Sequence, residues 1–206
     1  NRISVEVREA ENERGLLFGR FETSERSTGK YSTYEMAENY ESLFWRDRLG
    51  YYTIDKKYFM PVVRDVPVFP DRNLKAGETW SAEGNEAHDF RESFKIPEPY
   101  LFPITVSYQY MGKDETALYD LITIRYTVFH RPPTAAVPPQ FAMYPLRVTG
   151  YSSQILKWDN AAGRPHSYSE DFSFIIDLST GDSIEYTGTA KAEVIESESL
   201  DRDKVA

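Results

Sequence analysis

Ile104-Thr105-Val106-Ser107-Tyr108-Gln109-Tyr110, then Gly112-Lys113-Asp114-Glu115, then Leu118 to His130, is the stretch whose reading decides the fold. In the first limb Val106, Tyr108 and Tyr110 form one row, and Thr105, Ser107 and Gln109 the other. Successive strand side chains point to opposite faces, so this alternation describes a strand with one dry and one wet side. The Gly-Lys-Asp-Glu run reads as a turn, and the return limb carries Leu121, Ile122, Ile124, Tyr126, Val128 and Phe129. Two such runs across a short polar break predict an antiparallel hairpin.

The pattern continues on both sides. Toward the C-terminus, Tyr144 to Trp158 reads as a strand, Asp159 to Arg164 as a turn, and Ser167 to Leu178 as the returning strand. A further turn at Ser179-Thr180-Gly181-Asp182 leads into a strand from Ser183 to Ile195. Toward the N-terminus, Ile3, Val5 and Val7 alternate with Ser4, Glu6 and Arg8, and Leu16 to Thr23 pairs with them across Glu11–Gly15. Ser27-Thr28-Gly29-Lys30 signals the next turn. Between Tyr31 and Trp45 a helical spacing of Met36, Tyr40, Leu43 and Phe44 competes with strand-forming tyrosines, and the β neighbours decide for strand. Asp47-Arg48-Leu49-Gly50 is a turn and Tyr51 to Ile54 a short strand.

Two regions break the alternation. Pro61, Pro67 and Pro70 punctuate Val62, Val63, Val66, Val68 and Phe69, which predicts an edge or crossing segment, since proline cannot donate to a ladder. Gly77 offers a positive φ ahead of Trp80, which anchors the next strand. The polar run from Gly84 to Lys95, followed by Pro97, Pro99 and Pro103, reads as a long connection. Arg131-Pro132-Pro133 and Pro138-Pro139 bracket a proline-rich loop. Long hairpins in series with almost no helix signal predict an all-β antiparallel meander that forms a curved, barrel-like sheet. Residues 1–195 are expected to form this domain. Residues 196–206, from Glu196 on, read as an acidic linker to a missing C-terminal domain.

The 206 residues include 15 Tyr and 12 Phe, enough to build a core, so global disorder is excluded. The net charge of −9 repels phosphate backbones and anionic headgroups, so no nucleic-acid partner is expected. No stretch is long and apolar enough for a membrane-spanning helix, so the segment is expected not to insert directly. Without Cys there is no disulfide, thiolate nucleophile or Cys-based zinc site.

Chemistry-bearing patterns are sparse. The three histidines, His88, His130 and His166, are far apart in sequence. Glu86, His88 and Phe90 would share a strand face, but no second His falls near enough to complete a metal set, so neither metal nor cofactor is expected and His88 reads as a polar-loop residue. There is no Gly-x-Ser-x-Gly nucleophile elbow and no phosphate-cradling glycine loop. Acid pairs are expected by chance among 33 carboxylates. No catalytic residue is therefore assigned. The remaining candidates are aromatic: Tyr108, Tyr110, Tyr126 and Trp80 could line a ligand groove, although plain core is the commoner role.

Pro67-Val68-Phe69-Pro70 and Leu74-Lys75-Ala76-Gly77-Glu78-Thr79-Trp80, with His88-Asp89-Phe90-Arg91 and Pro97-Glu98-Pro99-Tyr100, resemble the β-rich region that precedes the C-terminal OmpA-like domain in some spirochaete (treponemal) envelope proteins. The resemblance covers most of residues 30–195. It implies an exported periplasmic or cell-envelope module without catalysis, whose partners are other envelope proteins or its own C-terminal domain. The peptidoglycan-binding residues of the OmpA-like domain have no counterpart in this chain. The expected function is a structural or interaction module; the alternative is a binding module holding a lipid, peptide or glycan on a concave aromatic sheet.

Overall fold

The computed structural model describes residues 1–26, 33, 35–132 and 143–195. The turn expected at 27–30, most of the proline-rich loop and the acidic segment 196–206 lie outside the described residues. The elements are β1 (Arg2–Glu11), β2 (Arg14–Glu25), β3 (Glu35–Asp47), β4 (Tyr52–Ile54), β5 (Val63–Arg64), β6 (Thr79–His88), α1 (Arg91–Phe94), β7 (Tyr100–Lys113), β8 (Asp120–His130), β9 (Pro145–Asp159), β10 (Arg164–Leu178) and β11 (Ser183–Glu193). They form two antiparallel sheets in meander order, β1-β2-β3-β4 and β5 through β11. The chain is all-β, and its second sheet curls into a half-barrel.

Curling follows from strand length. Strands of 11 to 15 residues accumulate right-handed twist, and a sheet of them coils. The coil brings distant strands together: His88 on β6 lies 6.0 Å, ring to ring, from Tyr186 on β11. The concave side is dry. Phe102, Val106, Val148 and Ile176 are fully buried there, beside Tyr108, Ile124 and Tyr126. Phe90 and Phe94, on and beside the single turn of α1, fill the bowl from the open side. Val63, Val66 and Phe69, from the crossing segment, pack against it too.

Local chemistry sets the turns. Asp47 Oδ1 accepts from the backbone N–H groups of Leu49, Gly50 and Tyr51 at 2.8–2.9 Å, so one carboxylate builds the β3–β4 turn. Gly77 takes the anticipated positive φ of 90°. The β7–β8 turn is displaced from the expected Gly112–Glu115. Gly112, at φ 97°, instead sits at a register shift within the β7–β8 ladder. Asp114 then makes the turn, accepting from the Thr116 hydroxyl at 2.8 Å and the Tyr119 N–H at 3.3 Å.

Two further expectations change. Gly84 to His88 belongs to β6 rather than to a long connection, because Gly84, Glu86 and His88 continue the inward row of Trp80 and Ala82. Pro103 lies inside β7, opposite Asn85, where the ladder to β8 has not yet begun; no partner needs its missing N–H there. The crossing segment 55–78 joins the sheets. Arg46 donates to the Pro67 carbonyl at 3.4 Å, the Phe69 N–H to the Leu49 carbonyl at 2.7 Å, and the Tyr52 N–H to Asp65 Oδ1 at 2.6 Å.

Candidate functional site

A chain of polar side chains crosses the concave face of the curled sheet. Glu86 on β6 is 3% exposed. Its carboxylate accepts from the Tyr126 hydroxyl of β8 at 3.0 Å and lies 2.9 Å from His88 Nε2. Beyond Tyr126, Ser152 of β9 donates to Glu170 Oε1 of β10 at 2.6 Å, and Gln154 donates to the same oxygen at 3.1 Å. Register explains the assembly. Tyr126 is paired with Ser152, and Ser152 with Phe172, one step along β10 from Glu170 on the same face. Burial, reinforced by the Glu86 charge, raises the pKa of Tyr126 far above its ordinary value, so this hydroxyl stays a proton donor.

A buried carboxylate is costly unless it is hydrogen-bonded, and here each oxygen of Glu86 has a partner. Aromatic rings enclose the rest: His88 stacks at 5.5 Å on Phe90 and 5.3 Å on Phe102, and meets Phe174 edge-on. The arrangement cross-ties β6, β8, β9 and β10. His88 is thus a half-buried strand residue, not the polar-loop residue expected. His130 lies between Tyr100 and Phe102, with its pKa lowered by burial, and His166 stacks on Tyr119 at 4.0 Å. Among the described residues, no group of three or more His, Asp or Glu side chains is placed to hold a metal.

The four aromatic candidates divide. Trp80 and Tyr108 stack in parallel at 5.0 Å, and both bond the crossing segment: Trp80 Nε1 donates to the Val68 carbonyl at 2.7 Å, and the Tyr108 hydroxyl accepts from the Val68 N–H at 3.3 Å. Tyr126 belongs to the Glu86 chain. Tyr110 donates to Asp120 at 2.7 Å, near the β7–β8 turn. Sequence reading missed Glu86 and Glu170 as a polar network. The inward parity of Glu86 and His88 was the available signal; Glu170 could be placed only once register was known.

The outer face differs. A shallow groove of about 460 Å³ is lined by Thr79, Trp80, Ser81, Ser107, Tyr108, Gln109, Thr123 and Arg125. One transverse row runs Ser81, Ser107, Arg125, Ser153, Asp171 and Thr189 across six strands. Exposed Phe129, Tyr151, Ile155 and Ile175 stand on the same convex side. No helix among the described residues is long and apolar enough to cross a membrane. Comparison with protein-family models, with curated proteins and with solved structures finds no match to this chain.

Proposed function

We propose that the chain is a non-catalytic interaction module of a bacterial cell envelope, a spacer or scaffold preceding an OmpA-like peptidoglycan-associated domain. The observation that carries this reading is that the ionisable groups meeting on the concave face, Glu86, His88 and Glu170, are each bonded to neighbouring side chains. Surface that is dry and exposed lies outside, on the convex face and on β1. Those are places where a folded scaffold meets other molecules. The resemblance at residues 67–100 supports the envelope part of this reading.

Fractionation of cells expressing the full gene product tests this reading. The protein is expected in the envelope fraction and protected from protease until the outer membrane is permeabilised. A cytosolic product without an envelope domain overturns it, and so does a hydrolytic activity abolished by His88→Ala. A second reading, a ligand held on the concave face, draws on half-buried Tyr168, Phe172 and Glu170 beside exposed Tyr186 at the open side of the bowl. Native mass spectrometry of gently purified protein separates the two: a co-purifying small molecule favours the second.

A further inference from the structure

β1 is exposed at all ten positions. Ile3, Val5 and Val7 nevertheless share a face with residues that are covered elsewhere. Ile3 lies opposite Phe21, Val5 opposite Gly19 and Val7 opposite Leu17, and these lie opposite Tyr40, Ser42 and Phe44 of β3. Phe21, Ser42 and Phe44 are buried, with Phe59 of the crossing segment standing 5.0 Å from Tyr40. The cover stops short of β1, where the three β-branched side chains are 55–58% exposed. Among the described residues β1 is also a sheet edge, hydrogen-bonded on one side only. A long edge with an apolar row is a template for another strand.

The charges on β1 select the occupant. In an antiparallel pair of β1 strands from two copies, centred so that Ser4 faces the partner's Ser4, Arg2 faces the partner's Glu6 and Ile3 faces the partner's Val5. By symmetry each contact occurs twice. Shifting the centre to Val5 sets Arg2 against the partner's Arg8. Shifting it to Glu6 sets Glu6 against the partner's Glu6 and Ile3 against the partner's Glu9. Of these three registers the first is the one that sets opposite charges against each other; it also sets Ile3 against the partner's Val5, with Val7 against the partner's Asn1. Cross-strand pairs of these kinds stabilise a sheet, and like charges directly opposite destabilise it.

We propose that β1 is a homodimerisation edge: two copies join by antiparallel β1–β1 pairing centred on Ser4, making one continuous eight-stranded sheet from the two four-stranded ones. The interface is small, so the dimer is a weak one. It stands independently of the proposed envelope role; a monomer would leave that reading intact.

Sedimentation velocity over a concentration series reaching the high micromolar range tests it. The chain is expected to move from monomer to dimer. Arg2→Glu alone, or Glu6→Arg alone, is expected to weaken association roughly tenfold, since each places two like-charge pairs across the symmetric interface. The double variant Arg2→Glu/Glu6→Arg exchanges the charges and is expected to restore association. Circular dichroism matching the unsubstituted chain establishes that each variant is folded. A chain monomeric throughout the series overturns the proposal, as does a double variant as weak as the singles or growth beyond a dimer.

Discussion

The four-stranded and seven-stranded sheets are built from the same alternating pattern, yet only one of them buries what the pattern offers. In β7, Phe102, Ile104, Val106 and Tyr108 are all buried, while in β1, Ile3, Val5 and Val7 are all exposed. The difference is curvature. The curled sheet brings β6 to β11, so its inward row packs against rows from the opposite wall. The smaller sheet has a dry face too, but it relies on the crossing segment for cover, which reaches β3 and β2 and not β1. Period-two alternation therefore specifies which side is dry; it does not specify that anything will cover it.

Cavity-forming substitutions should break the comparison most visibly. Phe102→Ala is expected to cost about 3–5 kcal/mol, because a fully buried ring in contact with His88 and His130 leaves a cavity the stiff sheet cannot close. Denaturant unfolding measures it, and a loss as small as a surface substitution gives would mean that the bowl is not a packed core.

Glycines give the next contrast. A Cβ at Gly150 of β9 would lie 2.4 Å from the Ser173 carbonyl oxygen and 2.5 Å from Phe174, whereas one at Gly15 of β2 meets nothing nearer than 3.7 Å. Gly150→Ala is expected to cost about 1–3 kcal/mol by overpacking. Gly15→Ala should be within about 0.5 kcal/mol of neutral. Equal effects in thermal melts would remove the distinction between a tight and an open sheet. Tyr126→Phe should cost about 1–2 kcal/mol, since it takes a donor from buried Glu86.

Alkaline titration sharpens the same point. Tyr100, Tyr108 and Tyr110, all on β7, have pKa values pushed up to about 12, the first two chiefly by burial and the third chiefly by its hydrogen bond to Asp120. The folded chain thus holds these protons more tightly than the unfolded one. The stability they contribute is complete below pH 10 and lost as pH rises from 10 toward 12. Unfolding free energies measured across that window should fall, and Tyr110→Phe should flatten part of the slope. The smallest expected effect is that of Val5→Ala, within about 0.5 kcal/mol at concentrations where the chain is monomeric.

Much of the fold was legible because strand periodicity is a local property. The hairpins at 104–130 and 145–193 follow from rows such as Val106, Tyr108 and Tyr110. The strand reading of Tyr31–Trp45 holds over Glu35–Asp47, where sheet pairing overrides the helical spacing of Met36, Tyr40, Leu43 and Phe44. The polar stretch from Gly84 to His88 misled because Glu86 and His88 are strand residues whose polarity is satisfied inside. The Asp114 turn was displaced because a side chain, not the nearest glycine, closes it.

The sequence by itself determined the class, the direction each strand faces and the absence of a thiol. Those depend on side-chain type and on a period of two along the backbone. Only the tertiary structure decided that seven strands curl far enough to meet, that Glu86, Tyr126, Ser152 and Glu170 fall into one chain, and that β1 is left bare. Each of these is set by register and twist summed over many strands, and no short window of residues encodes that sum.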